Sequence, residues 1–368
     1  MRINTTKENL LNGVQMVQRA VSTKNPMPIL TGILLESKDN KLKLTATDLE
    51  IGIECNVEVT TIEEGSIIVP AKYITEIVRK LPDVPIDLTG DTENNTITIQ
   101  YNSSQVNLHG FNADEYPAFP VVEGNLSFAI PTNTFKETLR QVLYATNTDE
   151  SRPVFTGVLF EIKDGLLTLV ATDTHRLALK KVAIDEEPAE LETIIPGRTL
   201  GEISRIISNS DDEDVIKITL GSNQALFTIK NTVIVSRLIE GQFPNYQGVI
   251  PKNHKSKVRI KVKELLDSTE RAALLTKTGR ETIRLDIKKD LLMLSANTDV
   301  GFIQENLNCY LEGEEVSISF NARYLTDVLR TVGEEEIILE LSGPLSPGVI
   351  RPPRGDNYLS LILPVRTA

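Results

Sequence analysis

A pattern of strands and turns recurs three times along the chain and sets the folds that it can adopt. Its clearest copy covers residues 151–182, where alternating apolar runs are separated by a Lys-Asp-Gly turn and an Ala-Thr-Asp turn. Similar segments cover residues 25–59 and 279–310, which gives a spacing of about 125 residues. Apolar alternation bounded by turn residues predicts antiparallel strands, and a period of this length predicts a repeated domain.

Two amphipathic helices accompany each copy. The first helices are predicted over residues 6–22, 132–146 and 262–276. The second helices follow a short strand within residues 66–81, 193–207 and 317–332. Each helix has one apolar stripe, which is typical of a helix that packs one face on a sheet. We therefore predict an α+β fold of three repeated domains, each with two helices packed on antiparallel sheets, with boundaries at residues 1–124, 125–247 and 248–368.

The composition indicates a cytoplasmic protein. Its two cysteines, Cys55 and Cys309, lie far apart and outside metal-binding or redox spacings. No apolar signal core follows Met1, and no apolar run reaches the length of a membrane span. We therefore expect a reducing, cytoplasmic location, with no membrane contact, no metal and no cofactor.

Positive charge is concentrated on the predicted helices, although the chain has a net charge of −12. The helical segments carry roughly +7, which leaves about −19 on the remainder. The second helices repeat a basic–acidic–basic spacing opposite their apolar stripes: Lys72, Glu76 and Arg79; Arg198, Glu202 and Arg205; Arg323, Asp327 and Arg330. One such helix is typical of ion pairs on a solvated face, whereas three copies with a surplus cation favour sequence-independent binding to DNA phosphates.

The number of predicted helices indicates a ring of two chains. If helices about 10 Å wide line a hole side by side, six of them leave an opening of about 9 Å, too narrow for duplex DNA about 20 Å across. Twelve helices leave about 28 Å, which admits duplex DNA with a layer of water. One chain supplies six of these helices, so a closed ring requires two chains.

Four motifs carry a resemblance to a known family: NPMPILTGI at residues 25–33, ATDTHRLA at 171–178, FPNY at 243–246 and LILPVR at 361–366. The whole chain resembles the bacterial DNA polymerase III beta subunit family of sliding clamps, with a tail similar to the firmicute type. The resemblance implies a non-catalytic processivity factor, a head-to-tail homodimeric ring of DNA-clamp domains around duplex DNA. It implies as partners the clamp loader, the replicative DNA polymerase catalytic subunit, and other DNA polymerases, mismatch-repair and ligation proteins that bind through short peptide motifs.

The family's peptide pocket lies between its second and third domains and takes motifs with a glutamine and apolar anchors. The resemblance places it here at Arg152, Phe155, Thr172, His175, Arg176, Leu177, Pro244, Val249, Leu361, Ile362, Pro364, Val365 and Arg366. Apolar members such as Leu177 and Val365 are expected to form a slot, with donors from His175, Arg176 and Arg366 at its edge. Without the resemblance, Leu177 and Val365 would be assigned to the core.

DNA contacts are expected on the helices and beside the peptide pocket. The resemblance places basic contacts at Lys24, Lys72 and Arg152, and the charge repeat adds the following residues: Arg79, Arg198 and Arg205. Relatives often have aromatic residues directly after the arginine that matches Arg152, where this chain has Pro153 and Val154. Stacking on DNA is therefore not expected at this point.

The ring seam is expected to be apolar. Val106 and Leu108 on an edge strand of the first domain would meet Leu274 and Leu275 near a helix of the third domain. Ordinary core positions are the alternative for all four residues.

Two other classes of function remain open from the residues alone. A scaffold that binds only proteins would explain the acidic surface, and salt-dependent association with circular DNA would distinguish a clamp from it. An enzyme is disfavoured because the chain has no phosphate-cradling glycine-rich loop and its histidines, His109, His175 and His254, are scattered. Asp173 and His175 form a weak catalytic pattern, because no nucleophile or metal-ligand set accompanies them.

Overall fold

The computed structural model describes residues 1–22, 27–124, 126–184, 190–209, 214–276 and 281–366, and seven α-helices lie in these ranges. Their bounds are Lys7–Val17 (α1), Ala71–Lys80 (α2), Thr132–Leu143 (α3), Pro153–Thr156 (α4), Gly197–Ile206 (α5), Val262–Ala273 (α6) and Ala322–Thr331 (α7). Short 3₁₀ helices lie at Gln18–Ala20, Pro28–Thr31, Ala113–Glu115, Ile207–Asn209 and Gln247–Val249. All helices but α4 are those that the apolar stripes predict.

The same ranges contain 25 β-strands. In chain order they are Arg2–Thr5 (β1), Gly32–Lys38 (β2), Lys41–Thr47 (β3), Ile51–Glu58 (β4), Thr60–Glu63 (β5), Gly65–Pro70 (β6), Ile86–Asp91 (β7), Thr96–Tyr101 (β8), Ser104–His109 (β9), Leu126–Pro131 (β10), Gly157–Lys163 (β11), Leu166–Thr172 (β12), Arg176–Ala183 (β13), Leu191–Pro196 (β14), Val215–Leu220 (β15), Gln224–Ile229 (β16), Thr232–Arg237 (β17), Ser256–Lys261 (β18), Thr282–Lys288 (β19), Leu291–Thr298 (β20), Gly301–Gly313 (β21), Val316–Asn321 (β22), Glu336–Leu341 (β23), Gly348–Arg351 (β24) and Tyr358–Ile362 (β25).

Neighbouring strands pair antiparallel and form three sheets within the described residues. A five-stranded sheet has the order β5-β1-β7-β8-β9, and an eight-stranded sheet has the order β10-β15-β16-β17-β4-β3-β2-β6. A twelve-stranded sheet has the order β14-β11-β12-β13-β25-β24-β23-β18-β21-β20-β19-β22. The predicted α+β architecture of helices with antiparallel sheets is therefore confirmed.

The chain divides into two compact units. The first consists of Met1–Phe135 and Glu202–Leu238 and contains the five-stranded and eight-stranded sheets. The second consists of Lys136–Gly201 and Ile239–Ala368 and contains the twelve-stranded sheet. In the second unit, α6 and α7 bury an apolar core against strands β18 to β23, as their stripes predict.

In each unit, one strand ladder joins segments that the sequence assigns to successive domains. In the first unit, β4 pairs with β17 through residues 51–55 and 232–236. In the second unit, β13 pairs with β25 through residues 176–180 and 358–362. Each ladder follows a turn of the same kind, so the repeat extends from the sequence to the way in which consecutive segments are joined.

The turn that precedes β4 is held by two side chains. The hydroxyl of Thr47 donates to the carbonyl of Ile51 at 2.9 Å and accepts from the amide of Leu49 at 3.0 Å. One carboxylate oxygen of Asp48 accepts from the amides of Glu50 and Ile51 at 3.0 and 2.9 Å. These bonds satisfy the turn locally and hold Leu49 at a φ of 77°.

Three helices end earlier than their apolar patterns suggest, and one of them is α3, which was expected to reach residue 146 and ends at Leu143. The first helix was expected over residues 6–22, but Thr6 is its cap, accepting from the Asn9 amide at 3.2 Å, and α1 ends at Val17. The helix expected to reach residue 276 ends at Ala273. After that residue the amides bond three residues back, as in the contact of 3.2 Å from Thr276 to Ala273, because the last turn tightens to 3₁₀ geometry.

Candidate functional site

The ATDTHRLA motif forms the second copy of the same turn, between β12 and β13. The hydroxyl of Thr172 donates to the Arg176 carbonyl at 2.7 Å and accepts from the Thr174 amide at 3.2 Å. One oxygen of Asp173 accepts from the amides of His175 and Arg176 at 2.9 and 3.0 Å. Thr174 has a φ of 78°, so the backbone matches the first copy closely.

The end of the described chain runs across this turn. The amide of Leu363 donates to the carbonyl of His175 at 2.9 Å, and two residues later the amide of Val365 donates to the carbonyl of Ser319 at 2.8 Å. The LILPVR motif is thereby attached to the turn on one side and to β22 on the other. Arg366 is exposed at the end of this segment.

Arg176 is buried at the centre of the site rather than placed as a donor at its edge. Its side chain is 8% exposed. Its Nε donates to Asp173 at 2.9 Å and its Nη1 donates to Asp327 of α7 at 2.6 Å. The guanidinium lies 4.6 Å from the ring centroid of Tyr324 and 5.4 Å from that of Tyr144. Two carboxylates and two aromatic faces therefore compensate its charge.

The two tyrosines connect this cluster to β25 and to His175. The hydroxyl of Tyr144 donates to Ser360 of β25 at 2.8 Å and lies 3.2 Å from the hydroxyl of Tyr358. Tyr324 stacks on His175, with 6.2 Å between ring centroids and 20° between ring planes. Burial raises the pKa of Tyr144 and Tyr324, so both hydroxyls stay neutral, and the Tyr144 hydroxyl can donate its proton in a hydrogen bond.

The predicted apolar slot is partly core. Leu177 and Ile362 are 2% and 1% exposed, and Leu361 packs with Leu177 in a cluster beneath the site. The accessible apolar surface comes instead from loops and from the chain end, where Val249 is 55% exposed. The other residues of this accessible apolar surface are exposed or half-buried: Pro244, Leu363, Pro364 and Val365. The antiparallel ladder explains the difference, because β13 and β25 turn these side chains into the core.

Arg152 directly precedes the short helix α4 and Phe155 lies within it, and the sequence did not predict this helix. Arg152 is exposed and Phe155 is half-buried. The carbonyl of Phe155 accepts from the amide of Asn147 at 2.8 Å, which fixes this helix to the end of the preceding segment. Pro153 lies at the first turn of α4, where its missing amide proton costs nothing.

The repeated basic residues of the second helices are all exposed: Lys72, Arg79, Arg198, Arg205, Arg323 and Arg330. Their acidic neighbours are not confined to ion pairs along their own helices. Glu202 contacts Arg19 at 3.1 Å as well as Arg205. Asp327 binds Arg176, and Arg330 instead pairs with Glu270 of α6 at 2.7 Å. Lys24 lies outside the described residues.

The four predicted seam residues lie at accessible positions. Val106 and Leu108 are half-buried on β9, which is an edge strand of the five-stranded sheet. Leu274, directly after α6, is 83% exposed and Leu275 is half-buried. The alternative assignment of all four to the core is wrong, because an edge strand and a helix end do not enclose their side chains.

Sequence reasoning missed the residues that hold Arg176. Asp327 belongs to the charge repeat and was assigned to its own helix, and Tyr144 was assigned to a helix pattern without a role. Tyr324 gave no signal beyond its place in α7. Within the described ranges, no group of three or more His, Cys, Asp and Glu side chains could hold a metal ion. None of the described helices has the length and apolar character that a membrane span requires.

Comparison with known proteins identifies the family. The family models of the DNA polymerase III beta subunit match the chain in order: the N-terminal domain at residues 1–120, the central domain at 129–245 and the C-terminal domain at 247–366. The chain is 39% identical over 378 residues to the beta sliding clamp of Halalkalibacterium halodurans, covering 98% of each chain. It is 35% identical over 381 residues to the beta sliding clamp of Bacillus subtilis, covering 100% of each chain.

Solved structures agree with this match over the whole chain. The crystal structure of the DNA polymerase sliding clamp from Bacillus subtilis has a TM-score of 0.96 at 34% identity, with 100% of each chain covered. A putative DNA polymerase III beta subunit from Eubacterium rectale has a TM-score of 0.95 at 34% identity, also with 100% of each chain covered. On these matches and on the repeated helices and sheets described above, the chain belongs to the DNA polymerase III beta subunit family.

Proposed function

We propose that the protein is a sliding clamp: two chains close head to tail into a ring around duplex DNA and tether replication proteins. The role is that of a non-catalytic processivity factor, in line with relatives that are named beta sliding clamp. The domain division at residues 1–124, 125–247 and 248–368 is part of this proposal. So is a cytoplasmic location, because the named relatives are bacterial proteins.

The observation that carries the proposal is the threefold basic repeat on exposed helix faces. Each of α2, α5 and α7 presents two cations seven residues apart on its accessible side. Cations that are matched in three copies suit a ligand whose charge is the same along its length, such as the phosphates of a duplex. Contacts of this kind position DNA without reading its sequence, and a sliding protein needs such contacts.

Two unpaired strand edges support closure into a dimer. β9 is the last strand of its sheet, with Val106 and Leu108 on it. β21 pairs with β20 through residues 301–308 but with β18 only through 309–313, so among the described residues the other edge of 301–308 has no strand partner. Joining the β9 edge of one copy to the β21 edge of the next would cover both edges and the exposed Leu274.

The groove at the ATDTHRLA turn is the proposed docking site for peptide motifs. Leu363 is exposed and bonded to the His175 carbonyl, Val249 is exposed as well, and His175 and Arg366 are exposed side chains that can donate hydrogen bonds. We assign this groove to the replicative DNA polymerase, the clamp loader and the other DNA polymerases, mismatch-repair and ligation proteins. Arg152, which is exposed, is proposed to contact DNA as well as bound peptide.

The decisive experiment compares retention on nicked circular DNA before and after linearisation. The protein is loaded with a clamp loader and ATP at moderate salt, and the DNA-bound fraction is separated by gel filtration. A closed ring stays on the circle and is released when the circle is cut, because only topology holds it. The loader is first shown to be active with a clamp of known behaviour.

Other outcomes would contradict the proposal in different ways. Equal retention on circular and linear DNA would indicate ordinary surface binding and would exclude the ring. If the protein is retained on neither circular nor linear DNA although the loader is active, the result would favour a scaffold that binds only proteins.

A further inference from the structure

The two copies of the turn share their threonine and aspartate and differ at the three positions that follow, of which the last is informative. Ile51 occupies in the first copy the position that Arg176 occupies in the second, and both residues are buried. The side-chain hydrogen bonds to the backbone are the same in both turns, with matching distances and matching φ angles at Leu49 and Thr174. The turn therefore forms without an arginine, and Arg176 is not required for its backbone conformation.

The burial of the Arg176 guanidinium requires an explanation, because burying a charge costs free energy unless the charge is paired. At Arg176 the pairing partners come from two different elements. Asp173 lies within the turn itself, whereas Asp327 lies on α7, which is 151 residues away in sequence. Tyr324 of α7 supplies an aromatic face as well, so α7 provides two of the contacts to this one side chain.

We propose that Arg176 is a positioning residue that fixes the peptide groove to α7 through Asp327, and that it is not a donor to the bound peptide. This inference rests on the proposed docking groove. The guanidinium uses its Nε and one Nη for the two carboxylates and covers its faces with Tyr144 and Tyr324. The exposed edge of the groove is then left to His175 and Arg366.

The anchor lies on a helix that has a second proposed role. Asp327 is the acidic member of the charge repeat on α7, between the exposed cations Arg323 and Arg330. Its carboxylate turns towards Arg176, so one helix carries the DNA-facing cations and the attachment of the peptide groove. A change to Asp327 should therefore affect peptide binding even though this residue does not line the groove.

Peptide affinity provides the first test. The probe is a fluorescein-labelled synthetic peptide, Gln-Leu-Ala-Leu-Leu, titrated with the full-length protein and followed by anisotropy. Asp327→Ala should weaken peptide binding at least about tenfold. Arg176→Lys should weaken it as well, although the charge is kept, because an ammonium cannot bind two carboxylates in a fork and stack on two rings. Glu264→Ala, which breaks an exposed pair with Lys261 at 3.1 Å on α6, is the matched control.

A double-mutant cycle separates positioning from direct contact. If Arg176 acts through Asp327, adding Asp327→Ala to Arg176→Ala should cause no further decrease in affinity. Independent, additive decreases would overturn the proposal. So would a large decrease with Arg176→Ala together with wild-type binding by Asp327→Ala, which is the behaviour of a direct donor.

Amide hydrogen exchange gives a second readout that needs no peptide. Asp327→Ala should speed exchange at the amides of His175, Arg176 and Leu363 at least about tenfold, because the turn is no longer attached to α7. The amides of Glu50 and Ile51 in the first copy serve as the internal reference and should not change. If exchange is unaltered in both turns, the positioning role is overturned. Failure of the wild-type protein to bind the labelled peptide in the anisotropy experiment would count only against the docking groove.

Discussion

At the scale of single residues, the two copies of the turn hold the same backbone with different side chains. In the first copy the hydroxyl of Tyr116 accepts from the Thr47 amide at 3.1 Å and lies 3.4 Å from the Gly32 carbonyl, to which it donates. The matching position before the next linker is Phe243, which has no hydroxyl. The hydroxyl contact that supports the first turn therefore has no counterpart at Phe243.

Tyr116→Phe should destabilise the protein by about 1–3 kcal/mol, because it leaves a buried backbone amide without its acceptor. The measurement is the free energy of unfolding in denaturant. Tyr73→Phe is the control, since the Tyr73 side chain is exposed and should change stability by less than about 0.5 kcal/mol. Equal effects of the two substitutions would show that the Tyr116 hydroxyl does not stabilise the turn.

Tyr116 should also contribute to alkaline unfolding. Burial raises the pKa of Tyr116 from 10.0 to about 12 in the folded protein. A group that holds its proton more tightly when folded gives its full stabilisation below the unfolded pKa and loses it as the pH rises through the folded pKa. We expect the free energy of unfolding to fall between pH 10 and about 12, and to fall less steeply in Tyr116→Phe. Identical slopes for the two proteins would contradict this assignment.

At the scale of elements, local periodicity predicted most of the fold. Apolar stripes placed all six longer helices, and turn residues placed the hairpins, because both signals depend on neighbours within a few positions. Helix ends were less predictable, as at α6, because the change to a 3₁₀ turn after Ala273 leaves the apolar pattern intact. The attachment of Arg176 to Asp327 could not be predicted, because it depends on how separate elements pack.

The open edge of β21 was missed for a similar reason. A strand of 13 residues that changes partner halfway has the same alternation as one that is paired throughout. The sequence motifs predicted that the turn and the end of the chain share one site, and the fold brings these two segments together by the bond from Leu363 to His175. They did not indicate which apolar residues of the groove would be buried.

The seam can be tested at the end of α6. Leu274→Lys combined with Leu275→Lys should convert the protein to monomers, because it places two charges in an apolar contact. Light scattering gives the mass in solution. Leu345→Lys is the control, because Leu345 is an exposed leucine, at 67%, in the loop between β23 and β24 and belongs to neither strand of the proposed seam. An unchanged mass for the double variant would remove these leucines from the interface.

At the scale of the whole molecule, the charge is segregated. A net charge of −12 coexists with six exposed cations in matched positions on α2, α5 and α7. The acidic excess elsewhere repels DNA, and the basic helix faces are left as the favourable surface. Net charge alone would have argued against DNA binding, so the distribution of charge is the informative quantity here.

One matched cation per helix can be removed together. Lys72→Ala, Arg198→Ala and Arg323→Ala in one protein should weaken binding to a linear duplex and make its salt dependence shallower by about 0.9 in log–log slope for each phosphate that the protein no longer neutralises. Fluorescence anisotropy over a range of salt concentrations measures both. The control protein carries Lys38→Ala, Lys163→Ala and Lys289→Ala, which remove exposed cations at the hairpin turns of the three copies. An equal change in slope for the control would show that exposed cations contribute to DNA binding wherever they lie, and that the matched helix cations have no special role.

The ladders of β4 with β17 and of β13 with β25 have a mechanical consequence. Each joins strands of one polypeptide, so strands that separate stay covalently tethered and can pair again. A seam between β9 of one copy and β21 of another would have no such tether. Under load, a ring built in this way parts between its chains while each chain stays whole. An assembly that opens and closes repeatedly needs one interface weaker than the others. Here the path of the backbone makes the interface between chains the weaker one.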